Sequence, residues 1–247
     1  MSEPIAAEAG LQGMPSWVRA RTNATDALTG LLAATLQEIP ANKSLELASD
    51  STNAVYVVLD GWLVSSKSTQ EGQRQIVDFV MPGEVFDTGS ATAKHSSTDL
   101  VALTNTTVSV IARDVWAGFL QQHPELQNTV NRLLAAGYSR VAERLLRVGK
   151  SHAEARIAYA ICELCLRSTE LGLVNGNDFH LPLTQQVLGD FVGLSSVHVS
   201  RTLRRLRRQK IMGTGNHMDI VIHDVDRLAE IAEIDLDDLR AEIIGSV

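Results

Sequence analysis

The 247-residue chain is predicted to be an α+β protein: an N-terminal antiparallel β-roll, a long helix, then a C-terminal winged helix-turn-helix. Three observations predict this. Short alternating strands punctuated by Gly and Pro run from Ile39 to about Ile111. A heptad-like apolar seam follows Pro124, and the segment Leu183 to Lys210 reads as two short helices around a glycine, the second ending in a dense basic run. The boundaries expected from these changes of pattern are a loose arm over 1–25, the roll over 26–122, the long helix over 123–149 and the winged domain over 150–247.

Residues 1 to about 21 are Ala-, Gly- and Glu-rich and weakly patterned, while Leu28, Leu31, Leu32 and Leu36 give Asp26 to Leu36 a helical period. Val55–Leu59 and Trp62–Val64 flank Asp60-Gly61, a two-residue hairpin signal. Gln70-Glu71-Gly72 suggests a second hairpin, followed by Ile76–Val80 and a turn at Pro82-Gly83. Leu100–Leu103 and Val108–Ile111 complete a many-stranded unit, most economically a small barrel or roll.

Pro124 is suited to open a long helix. Leu126, Val130, Leu133, Gly137, Val141, Leu145 and Val148 then follow one another at steps of four or three. Such a seam is either a core helix within one chain or, paired with a copy, a dimer interface. Gly137 in mid-helix costs about 1 kcal/mol relative to alanine, which points to close approach by another backbone. Gly149 can end this helix, and Ala153 to Arg167 begins another.

In Leu183 to Lys210, Thr184 is a good N-cap, Val187, Leu188, Phe191 and Val192 form an apolar face, and Gly193 stands where the chain must turn through positive φ. Leu194 can plug the core and Ser195 can cap the next helix. There Val199, Leu203 and Leu206 share one face, with Ser196, Val197, Ser200, Arg201, Arg204 and Arg208 on or near the other. An ordinary amphipathic pair with a solvated arginine face is the plain alternative. Cap, glycine turn, paired apolar faces and arginines together favour DNA. Ile211–Gly213 and Asp219–His223 are expected to form a wing, and Leu228 to Ile244 a terminal helix.

The formal net charge is −7, so affinity for DNA must come from a local patch. That patch is Arg201, Arg204, Arg205, Arg207, Arg208 and Lys210. Beyond Met212 acidic residues dominate and should suppress non-specific binding. Neither a membrane span nor a secretory signal is read, and a cytoplasmic location is expected. Cys162 and Cys165, one helical turn apart, read first as core residues, with a redox pair as the minor alternative.

The order of roll, seam helix, helix-turn-helix and wing resembles the Crp/Fnr superfamily of bacterial transcription regulators. The resemblance spans roughly Leu36 to His223 and is most specific in QEGQRQIVDFVMPGEVF (Gln70 to Phe86) and LTQQVLGDFVGLSSVHVSRTLRRL (Leu183 to Leu206). It implies a cyclic-nucleotide-binding-like roll that senses an effector, a helix that forms a homodimer, and winged helices that read near-palindromic double-stranded DNA, with RNA polymerase as protein partner. The effector cassette departs from the family. Asp87-Thr88 stands where cAMP-binding members carry Gly-Glu, and Ser96-Ser97 where they carry Arg-Ser or Arg-Thr. Loss of a bidentate arginine and gain of an aspartate are hostile to a cyclic phosphate, so no tight cAMP binding is expected. With no cysteine before Cys162, an N-terminal four-cysteine iron–sulfur cluster is not expected either. His95, in a polar loop, is a weak haem candidate, and no cofactor is expected.

The resemblance also assigns roles along the second helix. Ser196, Val197, Ser200 and Arg201 are expected at base edges, with Arg201 bidentate to guanine and Val197 against a thymine methyl. Relatives share Glu-x-x-Ser-Arg; here Val197 replaces the glutamate, so their half-sites should not be assumed. Thr184, Gln185, Gln186, Arg204, Arg205 and Arg208 are expected at phosphates. His198 either reaches a phosphate or base edge or faces its own domain. Three readings remain: a regulator gated through the roll, a regulator of the same build with no effector, and a cupin-like enzyme fused to a DNA-binding module. The last is disfavoured because the histidines are scattered, with no H-x-H pair.

Overall fold

The computed structural model describes residues 23–46, 53–87, 96–174, 178–214 and 219–244. Thr88, His95 and most of the expected N-terminal arm lie outside these. The chain divides into two compact units, 1–69 with 77–134 and 70–76 with 135–246.

The first unit begins with α1 (Asn23–Ala34), followed by β1 (Leu36–Ile39), β2 (Ser44–Glu46), β3 (Ala54–Asp60), β4 (Leu63–Ser68), β5 (Arg74–Val80), β6 (Val85–Asp87), β7 (Asp99–Ala102), β8 (Thr106–Ala112) and α2 (Arg113–Gln122). Two four-stranded sheets result, ordered β1-β8-β3-β6 and β2-β7-β4-β5. The helix expected to reach Leu36 stops at Ala34, and Leu36 instead opens β1, paired with Ser109 of β8. β1 carries mostly exposed side chains, so it lacks the alternation that marks a half-buried strand.

The Asp60-Gly61 hairpin is corrected. β3 pairs with β6 and β8, whereas β4 pairs with β7, so Asp60-Gly61 carries the chain from one sheet to the other. Gly61 has φ +76°, and a Cβ there would stand 2.3 Å from the carbonyl oxygen of Asn105. The glycine serves a close approach at a sheet corner rather than a two-residue turn. The other turns fall where expected: β4 and β5 are hydrogen-bonded neighbours, and Glu84 N–H donates to Met81 across Pro82-Gly83.

α3 (Pro124–Lys150) starts at its proline. Leu126 and Val130 are buried with Leu28, Leu32, Trp116 and Leu120 in the first unit's core, and Leu133 packs partly against them. The second unit holds the remainder of α3 and α4 (Ala153–Glu170), β9 (Asp178–His180), α5 (Gln185–Val192), α6 (Ser196–Arg208), β10 (Met212–Thr214), β11 (Asp219–Ile222), α7 (Val225–Ala232) and α8 (Leu236–Ile243). The wing is a three-stranded sheet ordered β10-β11-β9, whose third strand the sequence did not announce.

The single terminal helix expected over Leu228 to Ile244 is also corrected. Glu233 breaks it in the left-handed conformation, and Asp235 caps the second piece by accepting from Asp237 and Asp238 N–H. This repeats the punctuation of α5 and α6 at a constant offset of 40 positions. Asp224 caps as Thr184 does, Glu233 turns left-handed as Gly193 does, and Asp235 caps as Ser195 does. The charge is inverted: α8 carries Asp237, Asp238 and Glu242 against Arg240.

Candidate nucleic-acid interface

Thr184 Oγ1 accepts from Val187 N–H at 3.1 Å and fixes the start of α5. Gly193 ends that helix at φ 68°, ψ 41°, and its N–H returns to Gly189. Gly189 is a requirement that sequence reasoning missed. A Cβ there would lie 2.5 Å from the Leu194 carbonyl oxygen, so only glycine lets the turn fold this tightly. Leu194, expected as a core plug, is only half-buried. Leu188, Phe191, Val192, Val199, Leu203 and Leu206 are buried between the two helices and the rest of the unit.

That packing turns the polar face of α6 outward. Val197 is 64% exposed, a large apolar side chain facing outward. Arg201, Arg204 and Arg208 are exposed, while Ser196 and Ser200 are half-buried at the same edge. The four residues expected at base edges therefore share the N-terminal half of one helix face, and the arginines follow along it.

Several expected phosphate contacts already have partners. Arg205 reaches Glu154 of α4 at 3.2 Å, so it must leave a carboxylate to meet a phosphate. Gln186 Nε2 donates to Asp190 Oδ1 at 2.7 Å. His198 Nδ1 lies 3.0 Å from Ser195 Oγ, the cap of its own helix, which leaves Nε2 as the outward nitrogen. Thr184 and Gln185 are exposed at the start of α5. The structure adds a feature the sequence did not single out: Arg207, Lys210 and His223 line an open groove of about 520 Å³ with Met212 and Gly213. Lys210 turns back in the left-handed region (φ 58°), and pairing of Met212 with Ile222 brings His223 alongside. The run of arginines revealed the charge of this groove, but its histidine comes from 13 positions beyond Lys210 and depends on strand register.

The seam of α3 divides. Its inward face runs through Leu126, Val130, Ala136, Arg140 and Arg144, all buried. A different face carries Leu134 (47% exposed), Tyr138 (77%), Val141 (38%) and Leu145 (72%), again spaced four, three and four. At 3.6 residues per turn, each of the three consecutive four-residue steps from Leu133 to Leu145 advances about 40° around the helix, so the expected interface list crosses from one face to the other. Leu126 and Val130, expected in the interface, are buried in the first unit's core; Leu134 and Tyr138, outside the expected set, are exposed; and Gly137 and Val148 are half-buried. Among the described residues no other backbone closes on Gly137; a Cβ there would meet the Arg140 guanidinium at 3.5 Å.

At the positions aligned with the expected effector cassette, Asp87 is ion-paired with Arg113 of α2 at 2.5 Å. Ser96 is buried and donates to the Thr98 carbonyl at 2.6 Å, closing its hydroxyl into its own turn, with Ser97 exposed beside it. Cys162 and Cys165 are buried; burial pushes the Cys162 thiol up to about 12 and raises Cys165 as well. Such thiols are poor nucleophiles at neutral pH. Among the described residues no three His, Cys, Asp or Glu side chains gather as a metal set, and no helix is long and apolar enough to cross a membrane.

Comparison with known proteins finds the same two parts. Residues 36–123 match the cyclic nucleotide-binding domain and residues 155–231 the Crp-like helix-turn-helix domain. The chain is 27% identical over 194 residues to the anaerobic regulatory protein of Haemophilus influenzae, covering 78% of this chain and 75% of that one. It is 29% identical to the transcriptional regulatory protein btr of Bordetella pertussis, covering 78% and 79%. Among solved structures, FixK2 from Bradyrhizobium japonicum superposes with a TM-score of 0.71 at 23% identity, over 81% of this chain and 98% of that one.

Proposed function

From the premise that this chain belongs to the Crp/Fnr superfamily, and so is a DNA-binding transcription regulator and not an enzyme, we propose that two copies act together on a near-palindromic operator, in the cytoplasm and independently of cAMP. The observation that carries the reading is the outward face of α6. It sets Ser196, Val197, Ser200 and Arg201 at the tip of a helix whose every buried position is filled. A helix so presented enters the major groove with its N-terminal residues at base edges. Arg201 takes guanine O6 and N7, and Val197 takes a thymine methyl. Arg204 and Arg208 anchor phosphates, joined by Arg207 and Lys210 from the groove beside the wing, with RNA polymerase as the machinery addressed once bound.

Pairing of copies is supported by the face Leu134, Tyr138, Val141 and Leu145, a contiguous heptad stripe of exposed apolar side chains on a helix that buries arginines elsewhere. Independence from cAMP is supported by Arg113, which already holds Asp87, the residue standing where cAMP-binding relatives place the glycine of their Gly-Glu pair. This pairing also favours a second reading, in which the roll takes no small molecule and the regulator is set by abundance or a protein partner. Selection of bound duplexes from a random pool, with and without metabolite extract, tests both. The expected product is a pair of inverted half-sites one helical turn apart. Single unpaired sites would overturn the dimer, and enrichment confined to the extract arm would overturn the second reading.

A further inference from the structure

The second unit takes in residues 70–76 together with 135–246, and two consecutive residues of the shorter segment hold the last turn of α5. Arg74 donates twice to Asp190 Oδ2, from Nε at 2.9 Å and from Nη2 at 2.8 Å. Gln75 Nε2 donates to the Phe191 carbonyl oxygen at 3.0 Å. The second carboxylate oxygen of Asp190 is engaged as well: Oδ1 accepts from Gln186 Nε2 at 2.7 Å, one helical turn earlier. One carboxylate therefore joins Arg74, 116 positions away, to a glutamine at the start of α5.

Helix physics does not explain this acid. In the last turn of α5 a negative charge meets the partial negative charge of the helix end, where the final carbonyls also lack partners within the helix. Arg74 and Gln75 relieve both costs, one with a charge and the other with an N–H. Local charge does not call for the acid either. Asp190 is the only acidic residue between Leu181 and Met212, a stretch that holds six arginines and lysines. Left unpaired, it would repel the duplex that this stretch faces. What Asp190 supplies is orientation. A glutamine amide has two N–H donors; Asp190 takes one from Gln186 and fixes the side chain, leaving the second for a phosphate. Gln186 is exposed beside Thr184 and Gln185, where such a phosphate is expected.

We propose that Arg74 is a positioning residue for DNA binding: it neutralises Asp190, so that the carboxylate orients Gln186 towards a backbone phosphate without repelling the duplex. The inference rests on the reading of α5 and α6 as the DNA-facing pair, and adds to it a residue from outside the winged domain. Arg74 acts through Asp190 and is not itself a phosphate ligand, since its Nε and Nη2 both lie on one carboxylate oxygen. A backbone phosphate carries no sequence information, so Arg74 governs affinity for every duplex and not the choice among them.

The test measures the full chain by fluorescence anisotropy on the selected operator and on a random duplex, across a salt series. Arg74→Gln is expected to weaken both duplexes alike, by about five-fold at low salt and by less at high salt, where screening grows. Arg74→Gln with Asp190→Asn should return to near-native affinity, because the asparagine Oδ1 still accepts from Gln186 while the uncompensated charge is gone. Arg74→Lys, which keeps the charge, should bind as the native chain does. Should Arg74→Gln fail to fold, Asp190→Asn alone takes its place and is expected to strengthen both duplexes by about five-fold at an unchanged salt slope. Native affinity in Arg74→Gln, or in Asp190→Asn where that stands in for it, would overturn the proposal. So would a double variant as weak as Arg74→Gln with a salt slope lower by about one ion, which would make Arg74 a phosphate ligand. A native chain that binds neither duplex would overturn both the proposal and the reading beneath it.

Discussion

Arg201 and Arg208 stand seven residues apart on α6, and substituting each separates reading from anchoring. Arg201→Ala is expected to cost about 1–3 kcal/mol on the selected operator and to relax preference at one base pair. Arg208→Ala should weaken all duplexes alike and reduce the slope of binding against salt by about one ion. Arg205→Ala should do less than Arg208→Ala, because Arg205 already holds Glu154 and contributes only what remains after that pair is broken. Fluorescence anisotropy across a salt series distinguishes the three, and proportional loss on specific and random DNA for all of them would refute the assignment. The cysteines supply a prediction in pH. Their folded thiols titrate above the ordinary value, near 12 for Cys162, so the folded state keeps protons that the unfolded chain releases. The Cys162 contribution is fully present below about pH 9 and is lost as pH climbs towards 12, at about 1.4 kcal/mol per unit, and Cys165 acts in the same direction. Urea melts at pH 8, 9 and 10 should show this fall, and the Cys162→Ala/Cys165→Ala double variant should flatten it. His198 and Gly189 mark what a single residue's letter conceals: the histidine is taken by its own cap, and the glycine by a carbonyl five positions on.

At the scale of elements, α3 makes two demands that mutation can divide. Leu126→Ala should destabilise the first unit by about 2–5 kcal/mol by opening a cavity, with no change in oligomeric state. Tyr138→Glu with Leu145→Glu should leave the melting temperature of the separated chain near native while shifting sedimentation from dimer to monomer. A dimer that persists in that variant would remove this face from the interface. Cap chemistry was readable wherever a side chain and a backbone turn coincide, as at Thr184, Gly193, Ser195 and Pro124. Two kinds of feature were not readable. Strand partnership was one: Asp60-Gly61 has hairpin letters, yet the flanking strands belong to different sheets, and only long-range register decides that. Helical phase was the other: three consecutive four-residue steps from Leu133 to Leu145 carry apolar positions from the buried face of the helix to its exposed one.

For the whole molecule, the formal charge of −7 means that affinity depends on a small basic face carried by an acidic body. Neutralising the terminal helix through Asp237→Asn, Asp238→Asn and Glu242→Gln should therefore raise affinity for random duplex several-fold at low salt and narrow the gap to the operator. Filter binding at two salt concentrations measures both effects, and unchanged random-duplex affinity would show that the acidic end is too remote or too screened to matter. The recurrence of caps and left-handed turn in α7 and α8 bears on how such chains diversify. The scaffold of two short helices is specified at inward and cap positions, the chemistry at outward ones, and the two sets scarcely overlap. A reader of polyanions and a surface suited to polycations can accordingly descend from one pattern by exchange of outward side chains, leaving the turn to be inherited intact.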